Sequence, residues 1–113
     1  MHADELVRIH HMLEAARQAV GFAQGRSRSE LVPNPMLALA LVRCIEIIGE
    51  AATHVGERTR RQFSQIPWDN IVGMRNRIVH TYFDINLDIV WATVTNDLPP
   101  LIAELEKIVP PGR

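Results

Sequence analysis

Arg75, Asn76, His80 and Tyr82 place a guanidinium, a carboxamide, an imidazole and a phenol within eight residues of one another. The four types complement each other chemically. Arginine grips a phosphate through two parallel donors, and an imidazole gains or loses a proton near neutral pH. An amide one turn away can hold that imidazole in one tautomer. Such a group suits the cleavage of a phosphodiester. Gly73, about two turns before His80, would lower the wall beside the ring. Each residue also has a plainer reading. Arg75 can be half of an ion pair with Glu46 or Glu50 from a neighbouring helix, His80 a solvated side chain, and Tyr82 a ring packed on an apolar face.

The element that must position these groups reads as a helix. Pro67 and Asp69 mark its start, and its period continues to about Phe83. Ile71, Met74, Ile78 and Tyr82 share one arc of that helix, and Arg75 falls inside the arc. A guanidinium there is costly unless it is paired or borders a cleft or subunit interface. His80 falls roughly 140° from Arg75 around the axis, so one helix does not aim both at one atom. A second copy packed across a two-fold axis would bring two Arg/His sets around one groove. The spacing therefore predicts a homodimer with a composite site.

The rest of the chain supplies the scaffold. Leu6, Ile9, Leu13, Ala16 and Val20 recur at helical steps over about Asp4 to Gln24. A polar loop from Gly25 ends near Pro33-Asn34-Pro35. The most apolar helix follows to about Val55, with Arg43, Glu46 and Glu50 as a polar stripe, and Gly56 closes it. Arg58 and Arg61 lie in the turn after it, as a solvated basic surface or as contacts to an RNA backbone, where Arg77 would also serve. Asp84 or Asn86 can cap a last helix beginning near Leu87, which Pro99-Pro100 must kink or break. No alternating run reads as a strand. The expectation is one all-α domain over residues 1–113, an antiparallel bundle of four to five helices.

Composition narrows the function classes. With 47% hydrophobic and 22% charged residues, the chain is neither disordered nor low-complexity. Aromatic residues make up only 5%, against a base-stacking sheet, and a net charge of −1 gathers no nucleic acid at long range. The cations are eleven arginines and Lys107 alone, a bias that base composition of a genome also produces. A lone Cys44 forms no internal disulfide, and no signal-peptide pattern opens the chain, so the expectation is a reducing cytoplasm with no membrane span. His10 and His11 diverge on a helix, and His2 and His54 stand apart, so no metal and no cofactor is expected.

Arg75-Asn76-Arg77-Ile78-Val79-His80-Thr81-Tyr82 resembles the R-x4-H-x-Y signature of HepT-type toxins in the HEPN superfamily of helical ribonucleases. Ile45-Glu46-Ile47-Ile48-Gly49-Glu50-Ala51-Ala52 is similar to the family's I-x-x-I-G-E-A segment, and the stretch from Ile66 to Asn76 to its approach to the active site. Val90-Trp91 and Asn96-Asp97-Leu98-Pro99 resemble its last helix, so the likeness spans roughly residues 38 to 109. The resemblance implies a HEPN-type fold and a metal-independent endoribonuclease, the toxin of a type VII toxin–antitoxin pair. Arg75, His80 and Asn76 would carry the cleavage. An MntA-type minimal nucleotidyltransferase would be the antitoxin, silencing the toxin by AMP transfer to Tyr82. A catalytically silent helical partner of that nucleotidyltransferase is the alternative.

Overall fold

A computed structural model describes residues 1–81 and 84–110, and for residues 79–81 the backbone alone. The long helix α1 runs over Ala3–Ala23 and α2 over Pro35–Thr53, joined by a loop containing a 3₁₀ turn at Arg28–Glu30. Short helices α3 (Glu57–Gln62), α4 (Trp68–Val72) and α5 (Met74–Ile78) follow. A small antiparallel pair, β1 (Val79–Thr81) and β2 (Asp84–Ile85), leads into α6 (Leu87–Ala92). A π turn over Thr93–Asp97 joins α6 to α7 (Leu98–Ile108). The architecture is the expected all-α bundle.

The bundle is built on α2. Asn34 caps its start by accepting from the Leu37 amide at 3.1 Å, and Pro35 occupies the first turn, where a missing amide costs nothing. Leu41, Ile45 and Ile48 are fully buried, in one core cluster with Ile9, Met12 and Ala16 of α1 and Leu98 and Leu105 of α7. α2 ends at Thr53, and Gly56 begins α3 instead of closing α2. Gly49 lets α4 approach closely, since a Cβ there would stand 3.3 Å from the Ile71 carbonyl.

The helix expected from Pro67 to Phe83 is broken twice. α4 closes at Gly73, whose amide donates back to the Asp69 carbonyl at 3.1 Å, and α5 starts afresh at Met74. After Ile78 the backbone turns extended. The Asn86 amide donates to the Ile78 carbonyl at 2.7 Å, tying the end of α5 to the entrance of α6. Local pattern favoured one long helix, but the five-residue α5 has too few internal bonds to propagate, and pairing with Asp84–Ile85 wins. Of the two caps expected for the last helix, Asn86 is the one used, accepting from the Ile89 amide at 3.1 Å. The break expected at Pro99-Pro100 is the π turn just before them. The turn reorganises the bonding in the stretch where two proline amides are missing.

Candidate functional site

The restart at Met74 decides what α5 exposes. Met74 and Ile78, four residues apart, are buried, so Arg75, Asn76 and Arg77 between them are exposed. Arg75 therefore does not lie within an apolar face, as the uninterrupted helix required. Its Nε donates to Glu46 Oε2 at 2.9 Å, with the arginine side chain 55% exposed and the glutamate 29%. The pairing is through Nε, so the terminal nitrogens of the fork make no further hydrogen bond among the described residues. Glu46 Oε1 also stands 4.0 Å from Arg43 Nη1, so one carboxylate lies between two guanidinium groups. Glu50, the other expected partner, is turned to His54, with 3.3 Å between Oε1 and Nε2.

His80 sits in β1. Val79 pairs with Ile85 and Thr81 with Asp84, which leaves His80 as the extra residue of a β-bulge. Bulges recur beside active sites, where they change the direction of the chain within a strand. The helical argument linking Asn76 to His80 across one turn fails here, because the helix stops at Ile78 between them. The 140° separation of Arg75 and His80 lapses for the same reason. Tyr82, the expected modification site, lies outside the described residues. Gly73 stands beside Arg77: a Cβ there would be 3.4 Å from Arg77 Nη1, and the His80 ring for which it was expected to clear space lies outside the described side chains.

The other arginines separate. Arg61 pairs with Glu57 at 2.9 Å on the exposed face of α3, and Arg58 is exposed on the same helix. No described contact joins either to Arg75. Arg60, which the sequence did not single out, holds the fold together there. Its Nε and Nη2 donate to the Val55 and Ala52 carbonyls at 2.9 and 2.8 Å, closing the end of α2, and its guanidinium lies 5.8 Å from the Trp68 ring centre. Glu5 secures α3 from the other side, accepting from the Gly56 amide at 2.6 Å and the Thr59 hydroxyl at 3.0 Å. The Gly56 and His2 amides hold the Glu5 carboxyl below the usual carboxylate value. Arg77 faces the opposite way from the Glu46 pair and lines a cavity of about 420 Å³ between α4, α5 and α7. Among the described residues, no three His, Cys, Asp or Glu side chains gather as a metal site.

An all-α bundle with Arg75 exposed on α5 and His80 in the strand that follows fits the ribonuclease class that the sequence signature resembles. The comparisons name the family within that class. Residues 12–108 match the family described as ribonuclease HepT-like, and the chain belongs to that family. Putative RNase TTE0752 of Caldanaerobacter subterraneus subsp. tengcongensis is 34% identical over 101 residues, covering 89% of this chain and 90% of the relative. Putative RNase MJ1380 of Methanocaldococcus jannaschii is also 34% identical, covering 88% and 92%. Probable ribonuclease HepT of Thermococcus cleftensis is 36% identical over a shorter stretch, 61% of this chain and 63% of that one. No solved structure matches the chain.

Proposed function

We propose that this chain is a metal-independent endoribonuclease and the toxin of a type VII toxin–antitoxin pair, working as a homodimer in the cytoplasm. The observation that carries the reading is the Nε-anchored Arg75. Glu46 holds the half-exposed guanidinium through Nε and leaves its terminal donors without another partner among the described residues, so a phosphate can take both. RNA brings its own nucleophile. His80 takes the proton of the 2′-hydroxyl, the 2′-oxygen bonds to phosphorus, and the bond from phosphorus to the 5′-oxygen breaks. The leaving 5′-oxygen receives a proton from an imidazolium, which in a dimer is the second copy's His80. Arg75 stabilises the charge that builds on the phosphoryl oxygens, and Asn76 orients His80 or the phosphate. The products are a 2′,3′-cyclic phosphate and a 5′-hydroxyl. Arg58, Arg61 and Arg77 are the candidates for holding the flanking RNA.

An MntA-type nucleotidyltransferase is the proposed antitoxin. AMP attached to Tyr82 would set negative charge two residues from His80 and oppose RNA binding by repulsion and bulk. Its check is mass spectrometry after incubation with that enzyme and ATP: AMP on Tyr82 supports the control, and AMP only elsewhere removes it.

The decisive experiment compares wild type with His80→Ala and Arg75→Ala on RNA, with and without EDTA. Cleavage should fall by roughly 10²–10⁴-fold in the histidine variant and be indifferent to EDTA. Cleavage that survives both substitutions would remove the assigned site, and loss with EDTA would remove the metal-free chemistry. The Arg75–Glu46 pair also favours a second reading, a plain helical dimerisation module in which Arg75 is only structural. A wild type that cuts no RNA, with Arg75→Ala lowering only the melting temperature, would establish that one instead.

A further inference from the structure

We infer that the cavity beside Arg77 is a base-binding subsite selective for guanine, which would set where the RNA is cut; this rests on the ribonuclease reading above. The cavity, about 420 Å³, lies within the range of small-ligand sites. Its floor is apolar, with Ile66, Ile71, Met74, Leu98 and Leu101 all buried, a surface fit for the flat face of a base.

Two opposite charges frame it. Arg77 comes from α5 and Asp97 from the end of the π turn, and they make no ion pair with each other or with another described residue. Asp97 is free for a specific reason. It ends the π turn just before α7, its backbone still helical, and the amides a carboxylate there could accept from are those two or three residues on. Those positions here are Pro99 and Pro100, which have no amide to offer, and Asp97 makes no cap hydrogen bond. The carboxylate is left unpaired on the lining of the cavity. Glu104, the other acid there, is engaged by Lys107 at 2.9 Å.

A guanidinium and a free carboxylate on the lining of one largely apolar cavity match one base best. Guanine presents two acceptors, O6 and N7, to which arginine donates in parallel. On the adjacent edge N1–H and N2–H donate as a pair, a fit for both oxygens of one carboxylate. Adenine breaks the match on each edge, with an amino group where arginine needs the O6 acceptor and a bare N1 facing the carboxylate. Uracil offers a single donor, and cytosine shows a bare N3 to the acid. Arg75 and Arg77 are two residues apart on α5, so the cavity lies across that helix from the proposed phosphate site, about 10 Å away by the helix's width.

The test uses the nucleoside alone, so that binding reports the cavity and not the phosphate site. Guanosine titrated into the full chain should shift the methyl resonances of Met74, Leu98 and Leu101. Adenosine, cytidine and uridine should bind at least tenfold more weakly. Asp97→Asn, an exposed substitution that keeps the residue's shape, should weaken guanosine binding at least tenfold while leaving the melting temperature in place. It should also flatten a preference for cutting RNA next to guanine. Equal binding of all four nucleosides, binding of none, or an Asp97→Asn protein that binds guanosine as before would overturn the inference. Cleavage without base preference removes the subsite and leaves the nuclease reading intact. Selective guanosine binding by a protein that cuts no RNA does the reverse.

Discussion

α2 and the stretch from Met74 to Asn86 are adjacent in space and obey opposite rules. In α2 one period governs nineteen residues, a cap and a proline fix the start, and the helix packs chiefly against α1, with α4 and α5 on its other side. In the second stretch three conformations succeed each other within a dozen residues: a short helix, a bulged strand and the return strand. The residues matching the family's signature lie in the second stretch, while α2 contributes the carboxylate that steadies Arg75. The difference teaches how labour is divided in a small helical enzyme. A repetitive element supplies stability, and the residues proposed for the chemistry stand where repetition stops, because only there can neighbouring residues leave a common helix face.

That contrast predicts separable effects. Ile45→Ala, in the fully buried stripe of α2, should cost about 2–5 kcal/mol and lower the melting temperature sharply. Any cleavage by the folded fraction should keep its rate, and a specific loss of turnover at unchanged folding would break the division. Glu46→Gln should do the opposite. Its ion pair is more than half exposed on the arginine side, so stability should fall by at most about 1 kcal/mol. Cleavage should drop by about tenfold or more as the Arg75 fork loses its anchor, with partial recovery in Glu46→Asp. A Glu46→Gln protein that cuts RNA as fast as wild type would make α2 a pure scaffold.

The smallest effect is expected at Glu5, far from either stretch in sequence. Its folded pKa is lowered, first by the Gly56 amide and then by that of His2. Its contribution is therefore complete above the usual carboxylate value of 4.5 and is lost as pH falls through the lowered folded value. Wild type should melt above Glu5→Gln at neutral pH, and the gap should narrow on acidification below pH 4.5. A gap that stays constant between pH 7 and pH 3 would mean that the contact of Glu5 with Gly56 and Thr59 adds nothing through its charge.

Much of this molecule was readable from residue order. The limits of α1 and α2, the Asn86 cap and the disturbance ahead of Pro99-Pro100 follow from period, capping and missing amides. The pairing of Arg75 with Glu46 was one of two partners the spacing allowed, and the turn of Glu50 toward His54 settled which. The reading failed between Gly73 and Ile85. Ile71, Met74 and Ile78 keep a helical spacing right through the break at Gly73, so the pattern concealed it. The strand pair has too few residues to show an alternation. Arg60 was passed over among its neighbours because nothing local distinguishes an arginine that closes a helix from one in solvent.

Sequence by itself determined the class of fold, the family and the short list of groups that could do chemistry, since each depends on residue type and on spacing along one chain. Tertiary structure alone decided how those groups are grouped. It set Arg75 against Glu46, moved His80 from a helix into a bulge, and turned Arg77 toward a cavity that it frames with Asp97. The physical reason is range. Helix period and capping act over three or four residues, whereas a carboxylate 29 positions away and a backbone bond from Asn86 to Ile78 exist only once the bundle has closed.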